Sequence, residues 1–190
     1  RPRAAAVLRW SDQPDPAQGT DLFTGLPLPG DDEAAPFAWA HRALVRHALR
    51  VRVPAGDALA PTMLRLHQAA QGAVQAPLLV IELAAGARCV LLETHAGGDA
   101  AARVQNLQGH VRVGEGASLQ HLRAVVPAAG DQLAHHVHVR LQRGAHYAQA
   151  LVAAAAGYHL PRAGFELEGQ DPSAQPPGVL FPPPGVLEQQ

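Results

Sequence analysis

The densest group of residues able to do chemistry is His135-His-Val-His138. If this segment is a strand, His136 and His138 share one face, and two imidazoles so placed can chelate a divalent metal. Such a site also needs a carboxylate a few residues downstream. Val139-Arg-Leu-Gln-Arg follows instead, and the nearest downstream carboxylate is Glu166. The plainer reading, that these histidines line the outside of a strand, therefore prevails. A second group is Cys89, Glu93 and His95, whose spacing places them on one side of a strand. A reactive thiolate would need a depressed pKa, and only Arg88 is nearby to supply it, so Cys89 reads as a small buried hydrophobe. His41 and His47 lie six apart and do not share a helix face. Gly114-Glu-Gly116 falls in a strand turn, not between a strand and a helix, so no phosphate cradle is expected. No residue is thus assigned a catalytic, cofactor-binding or metal-binding role, and the chain reads as a non-enzyme.

The elements that position these residues follow from a repeat. Val51-Arg-Val-Pro-Ala-Gly56-Asp recurs as Ile81-Glu-Leu-Ala-Ala-Gly86-Ala, as Val111-Arg-Val-Gly-Glu-Gly116-Ala and as Val139-Arg-Leu-Gln-Arg-Gly144-Ala. A degenerate fifth copy is Phe165-Glu-Leu-Glu-Gly169, and the intervals are 30, 30, 28 and 26 residues. Self-similarity at such a period marks a stacked repeat. Each copy alternates apolar–charged–apolar, passes through a Gly turn and enters a second strand-like run. The expected fold is mainly β, a β-helix-like solenoid of stacked coils. Its inward columns would be Val51, Ile81, Val111, Val139, Phe165 and Val53, Leu83, Val113, Leu141, Leu167. Arg52, Glu82, Arg112, Arg140 and Glu166 would form an outward charged column with unlike neighbours at three of four steps. Exposed pairs of this kind contribute about 0.2–1 kcal/mol each, so the column mainly avoids repulsion.

The flanks differ from this core. Residues 1–36 read as an extended N-terminal segment, rich in Pro, Gly and Asp over residues 11–36. Pro36 opens an amphipathic helix running to about Leu49, with Phe37, Ala40, Leu44 and Ala48 on one face, placed to cap the Val51 coil. Residues 37–170 hold helix and β-helix core, and residues 171–190 form a tail with six prolines, polyproline-like or disordered, that no ladder would accept. The fifth coil would then stay open, which predicts self-association or a partner docking there.

Composition narrows the function classes. A chain of 190 residues suits one domain, with a core of Ala, Val and Leu, since 38 residues are Ala and eight are aromatic. Fifteen Arg (there is no Lys) nearly cancel 16 Asp and Glu, leaving no field to attract nucleic acid or anionic lipid. One cysteine excludes a disulfide framework and fits a reducing, cytoplasmic setting. No apolar stretch approaches the ~20 residues of a membrane span, and the N-terminal apolar run is too short for a secretory signal. The first residue is Arg, not Met, which reads as a trimmed start or a fragment.

The repeat resembles a known family. Leu49-Arg-Val-Arg-Val-Pro-Ala-Gly, Ile81-Glu-Leu-Ala-Ala-Gly-Ala-Arg-Cys-Val-Leu-Leu-Glu-Thr-His, Val111-Arg-Val-Gly-Glu-Gly-Ala-Ser-Leu-Gln-His-Leu-Arg and the segment from His138 are similar to the SufB/SufD scaffold proteins of iron–sulfur cluster assembly, SufD the closer. The likeness covers about residues 37–170. It implies a β-helix, a SufB-like partner, the ATPase SufC, and an Fe–S cluster held by the complex rather than by this chain. Family members continue through further coils into C-terminal helices, so the likeness also implies C-terminal truncation, and no family site residue falls on a position here. The competing expectation is a cupin-like or β-helix metal-binding protein or enzyme using the histidines near 135–138.

Overall fold

The computed structural model describes residues 6–9, 22–29, 35–56, 60–69, 72–96, 102–153, 157–175 and 186–187. The described residues are mainly β, with one short helix and a parallel-strand solenoid of about four turns. Each turn contributes one strand to each of two facing sheets. One sheet runs β1 (Ala6–Arg9), β3 (Thr62–Ala69), β6 (Arg88–Ala96), β8 (Ser118–Val126), β10 (His146–Ala153) and β12 (Ser173–Gln175). The other runs β2 (Ala48–Val53), β5 (Leu78–Leu83), β7 (Val104–Val113), β9 (Gln132–Leu141), β11 (Tyr158–Leu167) and β13 (Val186–Leu187), with β4 (Val74–Gln75) also on β7. We call these the first and second sheets. Among the described residues, no helix is long and apolar enough to cross a membrane.

The repeat sets this register. Val51, Ile81, Val111, Val139 and Phe165 stand opposite one another, as do Val53, Leu83, Val113, Leu141 and Leu167. Most of these pack into the main apolar core with Leu91, Leu119 and Tyr147 of the first sheet. Leu167 departs, standing 56% exposed on the last long rung. The charged column faces outward in register, with Arg52–Glu82 at 3.0 Å and Arg140–Glu166 at 2.9 Å. The repeating glycine has a backbone cause. Gly86, Gly116 and Gly144 lie at φ of 68°, 62° and 62°, in tight turns closed by Ala87 N–H to Ala84, Ala117 N–H to Gly114 and Ala145 N–H to Gln142.

Three expectations about the flanks need correction. Helix α1 spans Ala35–Leu44, not 36–49, because Ala48–Val53 instead pairs with Leu78–Leu83 of β5. Its buried face is Ala35, His41 and, just beyond its end, Val45; Trp39 and Leu44 are exposed. The helix is turned this way by two polar ties, His41 Nε2–H to the Pro77 carbonyl at 3.1 Å and Asn106 Nδ2–H to the Phe37 carbonyl at 2.7 Å. These lay it over the outer face of the second sheet, so it is not a cap on the Val51 coil. The Pro-rich tail also enters the ladders, through Ser173–Gln175 on β10 and Val186–Leu187 on β11. Both pieces avoid the prolines, which explains how a ladder accepts them. Most of the expected N-terminal segment, and residues 176–185, lie outside the described residues.

Candidate functional site

Period-2 alternation carries polar residues into the solenoid. From Cys89 along β6, positions 89, 91, 93 and 95 all face inward, so Cys89, Glu93 and His95 do share one side, as their spacing predicts. Rungs above and below add His121 and Arg123 on β8 and Gln68 on β3. From the second sheet come Gln105 on β7, His135 on β9 and His159 on β11. This polar layer separates the main apolar core from a smaller cluster of Val125, Leu133, Leu151 and Ala153.

Glu93 is its hub, with no exposed surface. One carboxylate oxygen accepts from Gln68 Nε2 at 3.0 Å and His95 Nε2 at 2.6 Å; the other accepts from His121 Nε2 at 2.8 Å and Arg123 Nε at 3.1 Å. Burial pushes the Glu93 pKa up, but Arg123, His95 and the His121 bond outweigh it and hold the carboxyl well below its usual range. His121 is lowered by burial, with the Glu93 bond opposing, so its Nε2–H donates to Glu93 while Nδ1 accepts from the Tyr147 hydroxyl at 3.0 Å.

Hydroxyl, imidazole and carboxylate in that order resemble a proton relay, yet the Tyr147 side chain lies wholly inside. Burial raises its pKa, and its hydroxyl is engaged by His121. The arrangement is a structural spine. Cys89 sits in the main core, and burial pushes its thiol up to about 12, against a reactive thiolate.

The histidine run divides between two faces. His135 is not on the outside, as expected, but fully buried: its Nε2–H donates to Gln105 at 2.6 Å, and its ring stands 4.7 Å from His95 and 5.0 Å from His159. The cause is register, because His135 continues the inward column of Leu133 and Val137. Burial holds His135 well below the usual imidazole range and His159 at about 3. His136 and His138 face out, where His136 packs on Phe37 at 5.3 Å and His138 lies 6.0 Å from His110.

Glu166, remote in sequence, comes within 3.4 Å of His138, but Arg140 takes both of its oxygens at 3.0 and 3.1 Å. Among the described residues no group of three or more His, Cys, Asp or Glu is arranged to hold a metal ion. Sequence reasoning stopped at Cys89, Glu93 and His95; the same alternation along Leu119-Gln-His-Leu-Arg places His121 and Arg123 inward as well. Comparison with protein-family models, curated proteins and solved structures finds nothing that matches this chain.

Proposed function

We propose that this chain is a non-catalytic, SufD-like scaffold component of an Suf-type iron–sulfur cluster assembly machinery, acting in the cytoplasm through contacts with a SufB-like protein and a SufC-like ATPase. The observation that carries this reading is the register. The repeat copies on which the resemblance rests occupy equivalent positions on successive rungs of a parallel solenoid, the fold that the resemblance implies. The buried spine and the protonated thiol of Cys89 supply stability and no accessible nucleophile, which favours a contact role over a chemical one. A metal centre at His136 and His138 is the weaker reading, because Arg140 engages both oxygens of Glu166, the carboxylate that His138 approaches.

Co-expression with the SufB- and SufC-like proteins of the same genome, followed by size-exclusion chromatography, is the test. A stable ternary complex is expected. Failure of this chain to join SufB and SufC that bind each other would overturn the proposal. So would a stoichiometric cluster on the isolated chain that depends on Cys89 after anaerobic reconstitution.

A further inference from the structure

A groove of about 400 Å³ lies between α1, the 22–29 segment and the outer face of β7, β9 and β11. Its size is that of a small-molecule pocket. Among the described residues three arginines line it, Arg42, Arg140 and Arg162, against a single glutamate, Glu166. Their commitments differ. Arg140 is spent on Glu166 and Glu168, and Arg42 donates to the Pro27 carbonyl at 2.7 Å and lies over the Phe23 ring at 4.0 Å. Arg162 has no hydrogen bond or ion pair among the described residues. Beside it, on the next rung, stand His136 and His138, and His110 lies one rung further on.

Two further observations fix the sign and shape of a ligand. His110 is held at about 4, first by burial and then by the basic groups around it, His138, His41, Arg42 and Arg50. Its Nδ1 is buried without a partner among the described residues. Gly164 stands opposite His138 and leaves a notch above that ring; a Cβ there would lie 3.4 Å from His138 Nδ1. Polar groups thus approach from three successive rungs, and apolar Pro27 and Leu28 line the groove as well.

We propose that this groove binds a small phosphate monoester, its phosphate held by Arg162 with the His110 and His138 imidazoles and its apolar body lying on Pro27 and Leu28. A planar guanidinium matches phosphate oxygens in a fork, and a three-oxygen head group uses donors on three successive rungs better than a carboxylate does. The proposal does not depend on the scaffold reading.

Isothermal titration calorimetry on the full chain tests it with phenyl phosphate, inorganic phosphate and benzoate. Saturable one-to-one binding of phenyl phosphate is expected, tighter than that of either other probe. Arg162→Gln and Gly164→Val should each weaken it at least tenfold. Arg112→Gln, on the same sheet face but outside the groove, should leave it unchanged. Absence of saturable binding, equal affinity for benzoate, or equal loss in Arg112→Gln would overturn the site. The chain linking Pro29 to Ala35, outside the described residues, carries Asp31, Asp32 and Glu33. Binding seen only after these become Asn, Asn and Gln would assign the groove to that acidic stretch and refute a free ligand.

Discussion

Mild acid should strongly destabilise this protein, and the magnitude follows from its neutral buried histidines. Burial is the first cause in each case: His41 and His110 are held at about 4 and His159 at about 3, while an unfolded imidazole titrates near 6.5. The folded pKa lies below the unfolded one, so the unfolded chain binds more protons between pH 7 and 4. Stability is therefore full above about 6.5 and falls as pH falls. At pH 5.5 each unfolded imidazole gains about 1.4 kcal/mol from protonation, so these three groups remove about 4 kcal/mol between pH 7.5 and 5.5. His121 and His135 shift in the same direction and add to the loss. Glu93, lowered instead below the carboxylate range, contributes only under about pH 4.5. Against a typical total of about 5–15 kcal/mol the loss is large. Urea titrations followed by far-UV circular dichroism at pH 7.5, 6.5 and 5.5 measure it. His159→Leu should shrink the drop by about 1.4 kcal/mol, one histidine's share. Unfolding free energies equal at pH 7.5 and 5.5 would refute the neutral-histidine argument.

Further substitutions probe the packing and the spine. Val113→Asp should abolish the folded circular-dichroism signal, since it buries an unpaired carboxylate between Leu83 and Leu141, while Arg112→Gln should change stability by under about 0.5 kcal/mol. Equal effects would sink the inward and outward assignment. Glu93→Leu should cost about 3–5 kcal/mol by stranding Arg123, and Glu93→Leu with Arg123→Met should recover much of that; additive losses in the double-mutant cycle would show that the two do not act as a pair. Gly157→Ala should destabilise by more than about 2 kcal/mol in urea titrations, because its Cβ would fall 2.0 Å from the Asp131 carbonyl oxygen. Gly56→Ala, with nothing within 4 Å of the added carbon, is the neutral control.

The solenoid was legible because the signal recurred. A single Val-Arg-Val is an ordinary strand fragment; four such units followed by Gly at nearly constant intervals admit few folds other than a stack. The helix was less legible. Phe37, Ala40 and Leu44 make a plausible apolar stripe, yet the polar ties of His41 and Asn106 set which face is buried. Its end depended on a competitor 30 residues away, since Ala48–Val53 has a strand partner only once Leu78–Leu83 is in place. The groove drew residues from α1, the 22–29 segment and three strands, and nothing in local spacing joins Arg42 to Arg162.

The pairing seen in the outer charged column extends to the interior. In a stack, residues one repeat apart become neighbours about 4.8 Å apart, so complementary side chains at the repeat interval are candidate contacts. Arg52–Glu82, Glu93–Arg123, Gln75–Gln105 and Gln105–His135 are all pairs 30 apart, and Arg103–Asp131 and Glu115–Arg143 are 28 apart, following the repeat as it shortens. The interval alone does not say which pairs are inside. Parity within the copy does: Arg52 and Glu82 lie between inward residues and so face water, whereas Glu93 and Arg123 fall in step with Cys89 and Leu119 and so face the core. The energetic difference is large. An exposed pair contributes under about 1 kcal/mol, while breaking a buried one costs about 3–5 kcal/mol because the surviving charge cannot reach water. Repeat interval and parity together therefore convert this sequence into an ordered forecast of which charges matter, with Glu93 and Arg123 ahead of every residue in the outer column.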